Sequence, residues 1–466
     1  MRSLLLAVAV LAGAGARADE VPAAPQPAGA DSRWPVIVGA QLTAIEQNQS
    51  TLHSPYRGAL SLDPAGDTQP TETVGLYLAW APLSFVQLYA DTEKFNGAGV
   101  SNATGLGGLT NGDVVREGSE SLPKTFYLAR AYARVLIPLG EEGDAPDTTR
   151  AEASQDQIGG WEPAHRLELK VGKLAVSDDF DRNRYAGSAR TEFLNWSLWQ
   201  NTAWDYAADT RGYTNGFVVG FVSPRWQLRY GAYLMPEHAN GQQLESSFRR
   251  ARGEQVELTL TPKEAGPIVR VLAYRNIARM GSYEEAVAIA ALNHTVPDVA
   301  ANDEDGRRKY GFGVNVEQAL ADDGETGVFV RAGWNDGKNE SFAFTEVDRH
   351  LSAGVQIDGV HWARAADRLG VALVSEGLAR AHADYLAGGG SGFLLADGAL
   401  HYGHEQILET YYRIEWSWPF GSVPQRPPHA APRIQLSPDF QFVRRPGYNE
   451  DRGPVHFFAL RLHLEY

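Results

Sequence analysis

The chain has no cysteine, so neither a disulfide framework nor a thiolate metal site holds it together. Beyond its first residues it has no run long and apolar enough for a membrane-spanning helix, which needs about 20 such residues. Positive charge is in deficit: Lys and Arg number 42 against 57 Asp and Glu, a net of −15. That balance disfavours a non-specific nucleic-acid binder, so no nucleic-acid partner is expected. No G-x-S-x-G, H-E-x-x-H or P-loop occurs. His238, His350, His361, His382 and His456 stand singly, and no catalytic residue, cofactor or metal site is assigned.

What is present begins with a secretory layout. Arg2, the apolar run Leu4 to Leu11 and the small-residue stretch ending Ala16-Arg17-Ala18 predict a signal peptide over 1–18, with the mature chain starting near Asp19. Residues 19–33, rich in Pro and Ala, predict a flexible leader, and 34–466 a single large domain. Glycines number 48 and the aromatics comprise 11 Trp, 19 Tyr and 18 Phe, a composition that favours many short strands separated by turns.

Alternation with a period of two recurs along the domain. At the C-terminus His456, Phe458, Leu460, Leu462 and Leu464 share one face, and Val455, Phe457, Ala459, Arg461, His463 and Glu465 the other. Tyr127 to Ile137 places Tyr127, Ala129 and Ala131 opposite Arg130, Tyr132 and Arg134. Likewise Leu228 and Tyr230 oppose Arg229 and Tyr233, Val330 opposes Arg331, and Ile414 and Trp416 oppose Tyr411, Arg413 and Glu415.

A soluble sandwich would show the same alternation, so connection length decides. Strands are expected at 36–45, 74–80, 85–91, 125–137, 165–171, 213–222, 226–235, 255–260, 268–276, 309–318, 327–335, 349–357, 368–375, 409–417, 434–444 and 455–465. Short joins such as 81–84 and 223–225 alternate with long ones at 46–73, 92–124, 172–212, 277–308 and 376–408. This parity predicts an all-β fold: a transmembrane antiparallel up-and-down β-barrel of about 16 strands in the outer membrane, reached after export. The acidic segment 138–164 breaks the parity and is expected to be a disordered insertion. The terminal aromatic, Tyr466, suits recognition by barrel assembly machinery.

With the apolar faces against outer-membrane lipid, Arg130, Arg134, Arg229, Arg331, Arg413 and Glu415 point into the lumen together with Tyr132 and Tyr411. Such arginines either pair with lumenal acids or form a polar track for solute. The loop over 172–212 is too polar for a membrane strand and too aromatic for a free loop, so it is predicted to fold inward as a constriction. Its candidate residues are Asp181, Arg184, Trp196, Trp204, Asp205, Asp209 and Arg211. Asp178, Asp179 and Asp181 lack the Gly and distal Glu of a calcium loop, so pairing with Arg182, Arg184, Arg190 and Arg211 is the expected role.

The run from Phe180-Asp181-Arg182-Asn183-Arg184-Tyr185 through Phe193-Leu194-Asn195-Trp196 to Trp204-Asp205-Tyr206 and Asp209-Thr210-Arg211-Gly212-Tyr213 resembles the carbohydrate-selective porin (OprB-like) family. Ser54-Pro55-Tyr56-Arg57-Gly58, Leu167 to Lys173, Arg331 to Lys338, Glu409-Thr410-Tyr411-Tyr412 and Tyr448 to Val455 extend the likeness in order. The resemblance implies passive diffusion of small carbohydrates, mono- and oligosaccharides, through a sixteen-stranded barrel without cofactor. It leaves monomer and homotrimer open. The alternatives are a general or anionic-solute porin and a polysaccharide export barrel, the last of which would show an arginine ladder without balancing acids.

Overall fold

In the computed structural model the described residues are 36–116, 121–140, 147–151, 157–262, 266–417 and 432–466. The expected signal peptide and leader lie outside them.

The strands follow one another as β1 (Val36–Gln49), β2 (Asp67–Leu83), β3 (Val86–Asn96), β4 (Tyr127–Pro138), β5 (Thr148–Ala151), β6 (Gly160–Pro163), β7 (Arg166–Leu174), β8 (Thr214–Val222) and β9 (Trp226–Tyr233). They continue as β10 (Arg252–Leu260), β11 (Ile268–Met280), β12 (Glu304–Ala321), β13 (Thr326–Asn335), β14 (Arg349–Asp358), β15 (Arg368–Gly377), β16 (Glu405–Ser417), β17 (Arg433–Arg444) and β18 (Val455–Glu465). All except β5 and β6 join neighbour to neighbour in one closed antiparallel barrel, and β1 pairs with β18 to seal it. Closure leaves no unpaired edge, which a sheet surrounded by lipid requires.

Every expected strand of the barrel is found. Several strands run longer than the alternation predicts: β2 starts at Asp67 rather than at residue 74, and β12 spans Glu304–Ala321 rather than 309–318, while β9 ends at Tyr233 rather than at residue 235. The added residues, such as Asp67-Thr68-Gln69, rise into the polar zone, where no lipid forces one face to be apolar. Among the described residues there are three helices: α1 (Trp196–Trp199) in the loop after β7, and α2 (Tyr283–Asn293) and α3 (Arg380–Ala387) in long loops further on.

Leu76, Leu78, Phe217, Leu228, Leu258, Phe312, Leu373 and Leu460 form an exposed apolar outer surface, while the inward positions are mostly buried by loops that enter the barrel. Two expectations are corrected. Segment 138–164 is not wholly disordered, because β5 pairs with β6 from Thr148↔Pro163 to Ala151↔Gly160, and Glu162 is drawn to Arg134 at 2.5 Å. Tyr127 does not share an outward face with the alanines. A bulge leaves Ala129 unpaired between Asp91↔Arg130 and Thr92↔Leu128, which shifts the phase and turns both Tyr127 and Arg130 inward.

Candidate functional site

The loop between β7 and β8, residues 175–213, lies inside the barrel and is fastened around its circumference. The Asn195 side chain caps α1 by accepting the Ser197 N–H at 2.9 Å. Glu409 on β16 accepts the N–H groups of Leu194 and Asn195 at 2.5 and 3.0 Å. Glu257 on β10 and Glu317 on β12 accept those of Asp181 and Arg184, each at 2.7 Å. Thr202 donates to Glu376 on β15. A charged acceptor meeting backbone donors is stronger than a neutral pair, and loss of either partner strands the other in a dry place.

The wall arginines act on the same loop from the other sign. Arg331 is fully buried; it sits 3.2 Å from the Asp181 carboxylate and donates to the carbonyls of Leu198 and Ala186, both at 2.7 Å. Arg461 on β18 donates to the carbonyls of Ala189 and Glu192 at 2.6 and 2.7 Å. Arg413 donates to the Thr191 carbonyl at 3.1 Å and lies 3.7 Å from Glu415, whose carboxylate accepts from Gln435. Arg331 therefore does not line a pore, contrary to expectation, because the loop it clamps covers it completely.

Arg130, Arg134 and Arg229 sit lower on the β4–β9 side. Arg130 forms a two-point pair with Asp178 at 2.6 and 2.9 Å. Arg134 bridges Glu162 and Glu168 at 2.5 and 3.1 Å, and Arg229 approaches Glu168 and Asp179 at 3.4 and 3.6 Å. Asp179 also holds Lys170 at 2.7 Å. Thus Asp178, Asp179 and Asp181 find wall cations rather than the loop's own arginines, which corrects the expected pairing. No group of three or more metal-ligating side chains occurs among the described residues.

Other loop residues separate into frame and lining. Trp204 is buried against Phe180 and Tyr206. Asp205 meets Lys309 at 3.2 Å and accepts the N–H groups of Phe342 and Ala343. Asp209 accepts those of Arg211 and Tyr213 at 2.9 and 3.1 Å. Burial raises both carboxyls, with Lys309 opposing the rise at Asp205 and the Tyr213 N–H opposing it at Asp209. Arg184 pairs with Glu325 at 2.8 Å, half exposed, and Tyr411 is buried with its hydroxyl on Gln356. None of these five residues borders the cavity beside β3, β4 and β7.

That cavity, about 480 Å³, lies between the β3–β4–β7 wall and the inward loops, and Arg130, Tyr132, Asp181, Trp196 and Arg211 border it. Part of the lining is charged. Arg190 spans Glu93 at 3.0 Å and Asp113 at 2.8 Å, and the Tyr213 and Tyr127 hydroxyls donate to Glu93 at 2.5 and 3.2 Å. Arg211 covers the Tyr127 ring at 4.6 Å, and Lys170 approaches Tyr132, itself stacked on Tyr89. The lining is also aromatic: Trp196 stacks on Phe344 with centroids 4.9 Å apart and planes at 13°, and Trp199 adjoins Trp196 at 4.5 Å.

Several of these residues were not singled out from the sequence. Glu93 follows the outward residue Thr92 in a strand that reads as ending at 91, and Asp113 and Phe344 belong to loops with no amphipathic pattern. Tyr127 was assigned to the wrong face because a one-residue bulge is invisible in a periodic pattern.

The family model for carbohydrate-selective porins, OprB family, matches residues 83–466. Among curated proteins none matches the chain by sequence. The high-pH structure of Pseudomonas putida OprB is similar over 92% of this chain and 94% of its own, with 13% identity and a TM-score of 0.64. More distant likeness extends to the outer membrane channel DcaP of Acinetobacter baumannii, at 9% identity, 94% and 99% coverage and a TM-score of 0.47. OmpT of Vibrio cholerae in its trimer form gives 9% identity, 93% and 99% coverage and 0.44. A closed sixteen-stranded barrel with an inward loop, matched by one family model over most of its length, makes this chain a member of the carbohydrate-selective porin OprB family of the outer membrane.

Proposed function

We propose that the cavity beside β3, β4 and β7 is the constriction through which mono- and oligosaccharides diffuse, without a catalytic step or cofactor. The observation that carries this reading is the meeting of two unlike groups in one cavity: Glu93, Asp113 and Arg190, and with them Trp196, Trp199 and Phe344. Sugar hydroxyls need paired donors and acceptors, and the C–H faces of a pyranose suit flat rings. The volume falls in the range of about 300–1,000 Å³ usual for small-molecule sites.

An arginine ladder for polysaccharide export is not favoured, since Arg130, Arg134 and Arg229 are each balanced by an acid. Arg130, Tyr132, Trp196 and Arg211 are proposed to meet solute; Arg331 with its partner Asp181, Arg413, Tyr411, Asp205 and Asp209 hold the loop that shapes the opening. Liposome swelling with glucose, maltose and an amino acid of similar size tests the reading. Faster entry of both sugars is expected; equal rates for all three solutes would leave a general pore.

A further inference from the structure

The outward face of β10, β11 and β12 changes character along its length. Register sets Leu258, Val271 and Val314 in one row, then Val256, Ala273 and Phe312, then Glu254, Arg275 and Tyr310, and last Arg252, Ile277 and Arg308. The lower rows are apolar and exposed, as lipid contact demands. Tyr310, together with Tyr230 on the neighbouring β9, marks an aromatic boundary. Arg275 lies in the Tyr310 row itself, and Arg252 and Arg308 lie one row nearer the long-loop end.

Arg275 is 49% exposed and Arg279 58%, and exposed Arg308 has no acidic side chain in ion-pair reach among the described residues. Arg249 and Arg250 stand on the turn that enters β10. Glu245 meets Arg250 at 2.5 Å, and exposed Glu304 and Asp305 begin β12. Glu254 alone serves both Arg275 at 2.5 Å and Arg252 at 3.4 Å, and Asp303 is 3.9 Å from Arg279. Within the two outward rows, Arg252, Arg275 and Arg308 face a single acid, Glu254, although the whole chain carries −15. At the same end of β1 and β2 the outward positions hold Glu46, Asn48, Thr68 and Glu72 instead.

We propose that Arg252, Arg275 and Arg308 form a binding site on the outside of the barrel for the phosphate groups of an anionic lipid in the surrounding leaflet. Guanidinium forks match phosphate oxygens with two parallel bonds and are weakly hydrated, so they suit a partly dry interface. Their level chooses the lipid source over a free anion: Arg275 shares the row of Tyr310 and the rows below are hydrocarbon-facing, so a bound phosphate sits where a headgroup sits. Acyl chains then lie along Phe312, Val256 and Leu258. The site fixes one sector of the barrel to charged lipid and leaves the β1–β2 sector, with its outward acids, to neutral lipid or protein.

The test uses the full barrel purified in detergent, with retained lipid read by native mass spectrometry. Bisphosphorylated lipid A is the probe and phosphatidylcholine the neutral comparison. R252Q/R275Q/R308Q is expected to weaken lipid A retention by about tenfold, roughly 1.4 kcal/mol. R57Q/R380Q/R445Q, which removes the same charge from other loops and rims, is expected to retain it. R308Q alone, at a side chain without an ion-pair partner, keeps the test valid if the triple variant misfolds and should weaken retention about threefold. Equal loss in both triple variants, or no preference of the wild type for lipid A, overturns the proposal. Displacement of lipid A by inorganic phosphate at matched phosphate concentration overturns the lipid source.

Discussion

The guanidinium of Arg331 on β13 lies 3.2 Å from the carboxylate of Asp181 in the central loop, and solvent reaches neither to any extent. A wall residue and a loop residue are thus locked as a buried pair, with the spare guanidinium protons spent on the carbonyls of Leu198 and Ala186.

Replacing Arg331 by Met should therefore cost about 3–5 kcal/mol of stability, because it leaves Asp181 charged and unpaired in a dry interior. The loop should leave the wall between 181 and 198, raising single-channel conductance and its noise. An unchanged conductance in planar bilayers would mean that the carboxylates of Glu257 and Glu409 suffice to hold it.

Glu192 borders the cavity, and burial pushes its carboxyl up to about 7, against the N–H groups of Gly187 and Ser188 that favour the ion. The folded protein therefore binds this proton more tightly than the unfolded chain, whose ordinary value is 4.5. The stabilisation is complete below that value and is lost as pH rises toward 7. Glu192→Gln should match wild type near pH 4 and exceed it in unfolding midpoint at pH 8. In the channel, cation preference should grow between pH 5.5 and 8 in wild type, read from reversal potentials in a KCl gradient, and stay flat in the variant.

Trp196 and Trp204 separate solute contact from frame. Trp196→Ala removes part of the aromatic lining of the cavity and should weaken maltose-induced current block by about tenfold, near 1.4 kcal/mol. Trp204 is buried against Phe180 and Tyr206, away from the cavity, so Trp204→Phe should leave the block unaltered. Similar losses in both would place the sugar elsewhere.

Arg134→Gln removes the counter-charge that draws Glu162, and with it the β5–β6 hairpin, to the barrel wall. Arg166, 2.9 Å from Glu162, remains, so the loss should be about 1–3 kcal/mol and local. Hydrogen exchange at Gly160 to Glu162 should accelerate while β4 and β7 stay protected.

How much was readable from residues alone follows from what lipid enforces. The strands could be placed because hydrocarbon penalises any polar outward residue, as Phe458 and Leu460 beside Arg461 illustrate. Inside, no such rule operates. Arg331 and Arg130 look alike in sequence, each alternating with apolar neighbours, yet one is sealed beneath a loop and the other borders the opening. The inward fold of 175–213 was legible from its polar and aromatic mixture, but its anchors were not: Glu93, Glu257, Glu317 and Glu409 lie far away along the chain and meet it only on closure.

Arg461 belongs to the final strand, and its guanidinium holds the carbonyls of Ala189 and Glu192 at the edge of the opening. The position of the inward loop thus depends on a residue of the strand that closes the barrel. A chain truncated before β18 would lose both the seam with β1 and this fastening, so completion of the wall and calibration of the bore are a single event in biogenesis.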